Sequence, residues 1–149
     1  MKILTIKNYE QMQRYISKEK FINFLFTNLG KYGDEKDAIE KSLNYAFSLA
    51  EGKGGFVLLG LNDKGDLIGG VVINQTAMSS YIPENILVYI TVHKDHRGKG
   101  YGGMLIKKTL ESCKGDVALH VDFDNPAKRL YERTGFDAKY IEMRYKKDS

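Results

Sequence analysis

Residues 94–103 of this 149-residue chain read Lys94-Asp95-His96-Arg97-Gly98-Lys99-Gly100-Tyr101-Gly102-Gly103. The apolar residues 86–93 precede this basic, glycine-rich segment and predict a strand. A helix is predicted after it, because one helical face carries Tyr101, Met104, Leu105, Thr109, Leu110 and Cys113. A glycine loop between a strand and a helix start presents backbone N–H groups and the positive end of the helix dipole. The segment therefore predicts a binding site for phosphate.

Two well-known phosphate motifs fit this loop poorly. A P-loop needs Gly-Lys-Ser/Thr, whereas Met104 and Leu105 follow Gly103. Gly98, Gly100 and Gly103 satisfy the spacing G-x-G-x-x-G, and Asp122 lies where a dinucleotide fold places a ribose ligand. That fold needs a series of parallel strands, but only 46 residues follow position 103 and a hairpin precedes the loop. A full dinucleotide-binding sheet does not fit.

The chain downstream of the loop predicts a parallel crossover. Residues 117–123 alternate apolar and polar side chains, which is typical of a strand lying parallel to residues 86–93. Asn125 is predicted to cap a short helix, with Pro126 in its first turn and Gly135 at its end. Residues 136–145 are predicted to form a last strand.

The chain upstream of the loop changes its hydrophobic period near Gly52. Before that point, Asn8 is predicted to cap one helix with a continuation through residues 21–25, and Asp34 or Asp37 to cap a second. Beyond it, residues 56–61 and 67–74 predict an antiparallel hairpin with its turn at 62–66. The fold class is therefore α/β (α+β), a mixed and mostly antiparallel sheet with one parallel βαβ crossover and about four flanking helices.

Composition narrows the class of protein. The 23 Lys and Arg residues exceed the 19 Asp and Glu residues by a formal charge of +4, which favours an anionic ligand. These basic residues are dispersed among acids, so no nucleic-acid partner is predicted. Apolar runs are too short for a signal peptide or a membrane span, and Cys113 is a single cysteine, so a cytoplasmic location and no membrane partner are expected. One domain spanning residues 1–149 is expected from the length.

Two separated motifs resemble the GNAT superfamily of N-acyltransferases. The segment Arg97-Gly98-Lys99-Gly100-Tyr101-Gly102 is similar to the acyl-CoA pyrophosphate loop of that family, Arg/Gln-x-x-Gly-x-Gly/Ala. The segment Leu130-Tyr131-Glu132-Arg133-Thr134-Gly135-Phe136 resembles its Leu-Tyr-x-x-x-Gly-Phe motif. The predicted order of helices and strands also resembles the GNAT fold over nearly the whole chain.

The resemblance implies a set of residues that bind acetyl-CoA as a cosubstrate, with no metal. The backbones of Ile90 and Val92 would hold the pantetheine arm, and an N–H near Ile90 would polarise the thioester carbonyl. Asn125 would contact pantetheine, although Asn125-Pro126-Ala127 is one residue shorter than the family's Asn-x-x-Ala. The residues implied for the pyrophosphate are Arg97, Gly98, Lys99, Gly100, Tyr101, Gly102 and Gly103.

The resemblance also implies the reaction. Tyr131 matches the family tyrosine that protonates the departing CoA thiolate while a primary amine of a small molecule or peptide attacks directly. The strand position that holds a glutamate in some relatives is Ile86, so the proton acceptor is open between Glu84, Tyr89, His93 and His120, with Glu84 the carboxylate among them. An acyl-CoA-binding sensor or scaffold without transfer activity is the alternative function. Many relatives are dimers, so a homodimer is one expected assembly.

Overall fold

A computed structural model describes residues 1–148 of the chain. Among these residues, no helix combines the length and the apolar character that crossing a bilayer requires. In chain order, the helices and strands are β1 (Lys2–Ile6), α1 (Tyr9–Gln13), α2 (Lys18–Leu29), α3 (Lys36–Ala46), β2 (Gly55–Leu61), β3 (Leu67–Gln75), β4 (Asn85–Val92), α4 (Tyr101–Ser112), β5 (Val117–Ala118) and α5 (Lys128–Arg133).

The five strands form one sheet in the order β1-β2-β3-β4-β5. Neighbouring strands from β1 to β4 are antiparallel. β5 is parallel to β4 and pairs with it only through Asn85 with Val117 and Ile86 with Ala118. Because α4 connects these two strands, the predicted parallel crossover is confirmed, and so is the mixed, mostly antiparallel sheet with flanking helices.

Helices cover both faces of this sheet. The first three helices bury Met12, Phe21 and Leu25 against one face, and α4 buries Leu105 against the other. Two adjacent glycines of β3 allow this close approach. A Cβ atom on Gly70 would lie 2.9 Å from Phe21 Cε1, and one on Gly69 would lie 2.8 Å from Leu105 Cδ1.

The N-terminal elements differ from the sequence prediction. Strand β1 was not predicted, although its pairing with β2 buries Ile6. The first predicted helix is two helices, because the Ser17 hydroxyl accepts a hydrogen bond from the Lys20 N–H and begins α2 as a separate element. The N-cap of α3 is Glu35, and neither Asp34 nor Asp37 caps it.

The C-terminal elements correct three further predictions. The strand predicted over residues 117–123 is paired only at Val117–Ala118, because β4 and β5 diverge beyond that point. No strand forms over residues 136–145, where Tyr140 and Met143 are largely exposed. The N-cap of α5 is Ala127, and Asn125 instead accepts a hydrogen bond from the Ala127 N–H in a turn before the helix.

Candidate active site

One edge of β4 is open along most of its length. The pairing with β5 ends at Ile86, and within the described residues no strand lies beside 87–92 on that side. On the other side, the His93 N–H donates to the Ile68 carbonyl of the β3 segment. Since backbone groups of successive strand residues point in opposite directions, those of Ile90 and Val92 point to the open edge. This edge can bind an extended ligand through its main chain.

A β-bulge lies in the middle of that edge. Tyr89 pairs with Val72 and Leu87 pairs with Ile73, so Val88 is an extra residue. The bulge turns Val88 and Tyr89 to the face of the first three helices, whereas Leu87 and Ile90 pack on the face of α4. The main chain of Ile90 therefore follows a local kink at the open edge.

The glycine loop lies at the C-terminal end of β4, as predicted. Gly98 and Gly100 have φ angles of +78° and +83°, which favour glycine, and no other atom lies within 4 Å of a Cβ built on either residue. Gly100 is the N-cap of α4, so the loop leads directly to the helix N-terminus. Lys99 is exposed between these two glycines, and Tyr101 is the first helical residue. The loop thus offers N–H groups, a helix dipole and a lysine charge to an anion.

Gly102 and Gly103 have a different local role. A Cβ on Gly102 would lie 2.9 Å from Leu130 Cδ2, and one on Gly103 would lie 3.9 Å from Leu130 Cδ1. These two glycines are therefore where the first turn of α4 contacts α5. An open groove of about 520 Å³ between α4 and the C-terminus of α5 is lined by Gly103, Lys107, Leu110, Glu111 and Thr134.

Arg97 connects two elements through their backbones. Its Nε donates to the Val92 carbonyl at 3.2 Å, and its Nη2 donates to the Asn28 carbonyl at 2.6 Å. The guanidinium group therefore fixes the start of the glycine loop between the end of β4 and the last turn of α2. The carbonyl of Val92 is occupied by this contact, which leaves the Val92 N–H for a ligand.

Tyr131 is buried on α5 against Phe136, with a ring-centroid distance of 6.0 Å. Burial raises the pKa of the Tyr131 phenol above its ordinary value. Every buried side-chain polar atom in residues 1–148 has a hydrogen-bond partner. Because the Tyr131 hydroxyl bonds to no described residue, its oxygen reaches the surface. A protonated phenol is thus presented from an otherwise buried ring.

The structure does not bring Glu84 to the bulge. Its side chain lies over Gly115, where an added Cβ would come 1.8 Å from Glu84 Oε2. Ile90 lies six residue steps along the chain from Glu84, a distance of roughly 20 Å in extended backbone. Of the other predicted proton acceptors, His120 is exposed beyond β5 and His93 packs beside Phe24. Tyr89 lies at the bulge, but its hydroxyl donates a hydrogen bond to Asp34.

Two polar residues that contact β4 or its neighbours were not predicted as site residues from the sequence. The Asp34 carboxylate accepts a hydrogen bond of 2.6 Å from the Tyr89 hydroxyl. The side-chain amide of Asn85 donates to the carbonyls of Lys114 and Asp116, which fixes the point from which β4 and β5 diverge. Both contacts join residues far apart in the chain, and no local sequence pattern could have indicated them. Within residues 1–148, no cluster of three His, Cys, Asp or Glu side chains could hold a metal ion.

Comparisons with known proteins agree with this arrangement. A putative acetyl transferase from Pyrococcus furiosus superposes with a TM-score of 0.63 and 22% identity, covering 97% of this chain and 99% of its own. An aminoglycoside antibiotic 6'-N-acetyltransferase from Acinetobacter haemolyticus superposes with a TM-score of 0.65 and 18% identity, covering 100% and 99%. The ribosomal-protein-alanine N-acetyltransferase from Brucella melitensis gives 0.64 and 18%, covering 100% of both chains. These likenesses show the fold.

Sequence comparison shows the family. The mouse cysteine-rich protein 2-binding protein is 37% identical over 54 residues, which are 36% of this chain and only 7% of that protein. The family model described as "Acetyltransferase (GNAT) family" matches residues 18–136, which include the open edge, the glycine loop and α5. The chain therefore belongs to the GNAT family of acetyltransferases.

Proposed function

We propose that this chain transfers an acetyl group from acetyl-CoA to a primary amine by direct attack, without a covalent acyl-enzyme. The observation that carries the proposal is the open edge of β4 leading into the glycine loop at the N-terminus of α4. An extended thioester with a pyrophosphate at one end matches that combination of main-chain edge and anion site. Membership of the GNAT family supports acetyl transfer in general.

The pyrophosphate is proposed to bind the glycine loop. The positive φ angles of Gly98 and Gly100 leave their surroundings open to a phosphate oxygen, and Lys99 adds a full charge. Arg97 shapes this loop through its contacts with the Val92 and Asn28 carbonyls. The adenosine end is proposed to follow the groove along α4, whose lining includes both Lys107 and Glu111.

The pantetheine arm is proposed to lie along the open edge of β4. Its amides would pair with the main chain of Ile90 and the N–H of Val92, in the manner of an added strand. The thioester carbonyl would accept a hydrogen bond from the Ile90 N–H beside the bulge. A fixed N–H aimed at the oxygen that gains negative charge lowers the barrier to attack. Asn125, whose side-chain oxygen accepts a hydrogen bond from the Ala127 N–H in the turn before α5, is also proposed to contact pantetheine.

The chemical step follows from this placement. The neutral amine nitrogen attacks the thioester carbon, the C–S bond breaks, and the CoA sulfur leaves as a thiolate. Tyr131 is proposed to donate its phenolic proton to that thiolate, and burial suits it to this task by keeping the phenol protonated. The attacking nitrogen is proposed to release its extra proton to water, since Glu84 lies roughly 20 Å from Ile90 along the chain and the Tyr89 hydroxyl donates to Asp34. Tyr131 then takes a proton back from water.

The test combines a binding and a transfer measurement. Acetyl-CoA at 100 times its dissociation constant should raise the unfolding free energy by about 2.7 kcal/mol, seen as a rise in Tm of roughly 5–10 °C. NAD at the same concentration should give a much smaller shift. Release of free thiol with a panel of primary amines then separates an enzyme from an acyl-CoA sensor. Equal shifts with NAD and acetyl-CoA would overturn the proposal.

A further inference from the structure

Asp34 and Tyr89 form a hydrogen-bonded pair beside the bulge of β4. The Tyr89 hydroxyl donates to Asp34 Oδ2 at 2.6 Å, across 55 positions of sequence. The tyrosine ring is only 7% exposed, whereas Asp34 lies in an exposed connection between α2 and α3. The buried tyrosine thus holds the exposed carboxylate of Asp34 in position.

The charge in this pair belongs to the aspartate. Burial and the negative charge of Asp34 raise the pKa of the Tyr89 phenol, so the tyrosine remains the donor. One carboxylate oxygen, Oδ2, is held by that bond. The second oxygen makes no hydrogen bond to any residue from 1 to 148 and is available to a ligand. A carboxylate of fixed position with an available oxygen suits a cationic group.

The connection that carries Asp34 contacts both β4 and the segment that follows β5. On the β4 side it contacts Tyr89, and on the side that follows β5 it contacts Asp124. There the Lys31 ammonium lies 3.0 Å from Asp124 Oδ2, and the Tyr32 hydroxyl donates to the Asp124 carbonyl. Lys31 is paired with Asp124 and Lys36 lies over the Phe26 ring, and no salt bridge joins the Asp34 carboxylate to any residue from 1 to 148. Tyr89 precedes Ile90, so Asp34 is one tyrosine side chain from the proposed thioester position.

We propose that Asp34, positioned by Tyr89, binds a positive charge of the acceptor other than the attacking nitrogen. This inference rests on the proposed function and names its substrate class, an aliphatic amine that carries a second cationic group. The attacking nitrogen must be neutral, whereas a carboxylate favours the protonated form of an amine bound to it. Asp34 is therefore suited to the distal ammonium of a diamine. Tyr89 acts as a positioning residue.

The test compares two acceptors that differ in one terminal group, 1,4-diaminobutane and 1-aminopentane. Both present a primary amine on a chain of similar length, but a methyl group replaces the distal ammonium in the second. We expect wild-type protein to show at least about tenfold higher kcat/KM for the diamine, measured as free thiol release. Asp34→Asn should reduce that ratio to about one. Tyr89→Phe should raise KM for the diamine more than it lowers kcat.

Asp37→Asn is the matched control, because Asp37 is an exposed carboxylate in the first turn of α3 with the same change of charge. It should keep the wild-type preference. The thermal shift with acetyl-CoA reports whether each variant is folded and binds the cosubstrate. A protein that binds acetyl-CoA but prefers 1-aminopentane, accepts neither amine, or keeps its preference in Asp34→Asn overturns the inference. Failure of wild-type protein to bind acetyl-CoA would instead overturn the proposed function.

Discussion

Tyr131 combines a buried ring with a hydroxyl that reaches the surface. A phenol in this setting is a proton donor over a wide pH range, because burial raises its pKa above the ordinary value of about 10. The direction of this pKa shift predicts how activity depends on pH. Activity that depends on protonated Tyr131 is retained as the pH rises, and is lost only above the ordinary pKa of tyrosine.

Tyr131→Phe tests this role, because it removes one hydroxyl and keeps the ring that packs against Phe136. We expect single-turnover transfer to fall by about 10²–10⁴-fold, if protonation of the thiolate limits the rate, while acetyl-CoA affinity changes little. Tyr15→Phe, at an exposed tyrosine in the connection between α1 and α2, is the control. Wild-type rates in Tyr131→Phe at every pH would remove Tyr131 from the mechanism.

Some of these residues could be predicted from the sequence and others could not. Gly98 and Gly100 were predictable, since closely spaced glycines between a strand and a helix indicate positive φ angles. The Asp34–Tyr89 bond was not, because it depends on how the α2–α3 connection lies over β4. The position of Glu84 just before a strand predicts a proton acceptor, but its side chain lies over Gly115 and away from the bulge.

The first turn of α4 has two roles, because it is proposed to bind phosphate and it packs against α5. Gly103→Ala should raise the free energy of unfolding by up to about 0.5–1 kcal/mol, because its Cβ makes an ordinary contact 3.9 Å from Leu130 Cδ1. Gly102→Ala should raise the free energy of unfolding by less, because its Cβ would lie 2.9 Å from Leu130 Cδ2 and displace that side chain. Urea unfolding without acetyl-CoA measures both variants. Equal stabilisation by both alanines would show that the Leu130 contact is unimportant.

Asn85 connects the start of β4 with the segment that leads from α4 into β5. Its side chain is 1% exposed and donates to the Lys114 carbonyl at 2.7 Å. Asn85→Leu should lower the free energy of unfolding by about 1–3 kcal/mol, because that carbonyl loses its partner in a buried setting. Lys114→Ala keeps the carbonyl and removes only an exposed side chain, so its denaturant midpoint should match the wild type. Similar midpoints for both variants would contradict the assigned role.

The strands show why local patterns predicted some elements and not others. The β2–β3 hairpin was predictable because its turn, residues 62–66, joins two apolar runs. The alternation of residues 117–123 and the apolar residues of 136–145 also suit strands, yet a strand needs a neighbouring edge. β4 diverges from β5 beyond Ala118, so residues 119–123 have no strand to pair with. Residues 136–145 have no partner strand within residues 1–148.

The charge of the whole molecule is modest, at a formal +4, so the attraction of an anionic cosubstrate depends on where the charges lie. Lys99 lies in the glycine loop at the C-terminal end of β4. Lys53 lies at the opposite end of the sheet, two residues before β2, which begins beside the end of β3. Both side chains belong to exposed residues, so each can be replaced without disturbing a core.

Lys99→Glu and Lys53→Glu each lower the formal charge from +4 to +2, which makes them a matched pair. If the loop holds the pyrophosphate, Lys99→Glu should weaken acetyl-CoA binding by about tenfold at low salt, roughly 1.4 kcal/mol, whereas Lys53→Glu should change it little. The difference should shrink as salt rises, because the Debye length falls to about 10 Å at 0.1 M. Calorimetric titration with acetyl-CoA at several salt concentrations measures both. Equal weakening in the two variants would mean that net charge, and not this loop, attracts the anion.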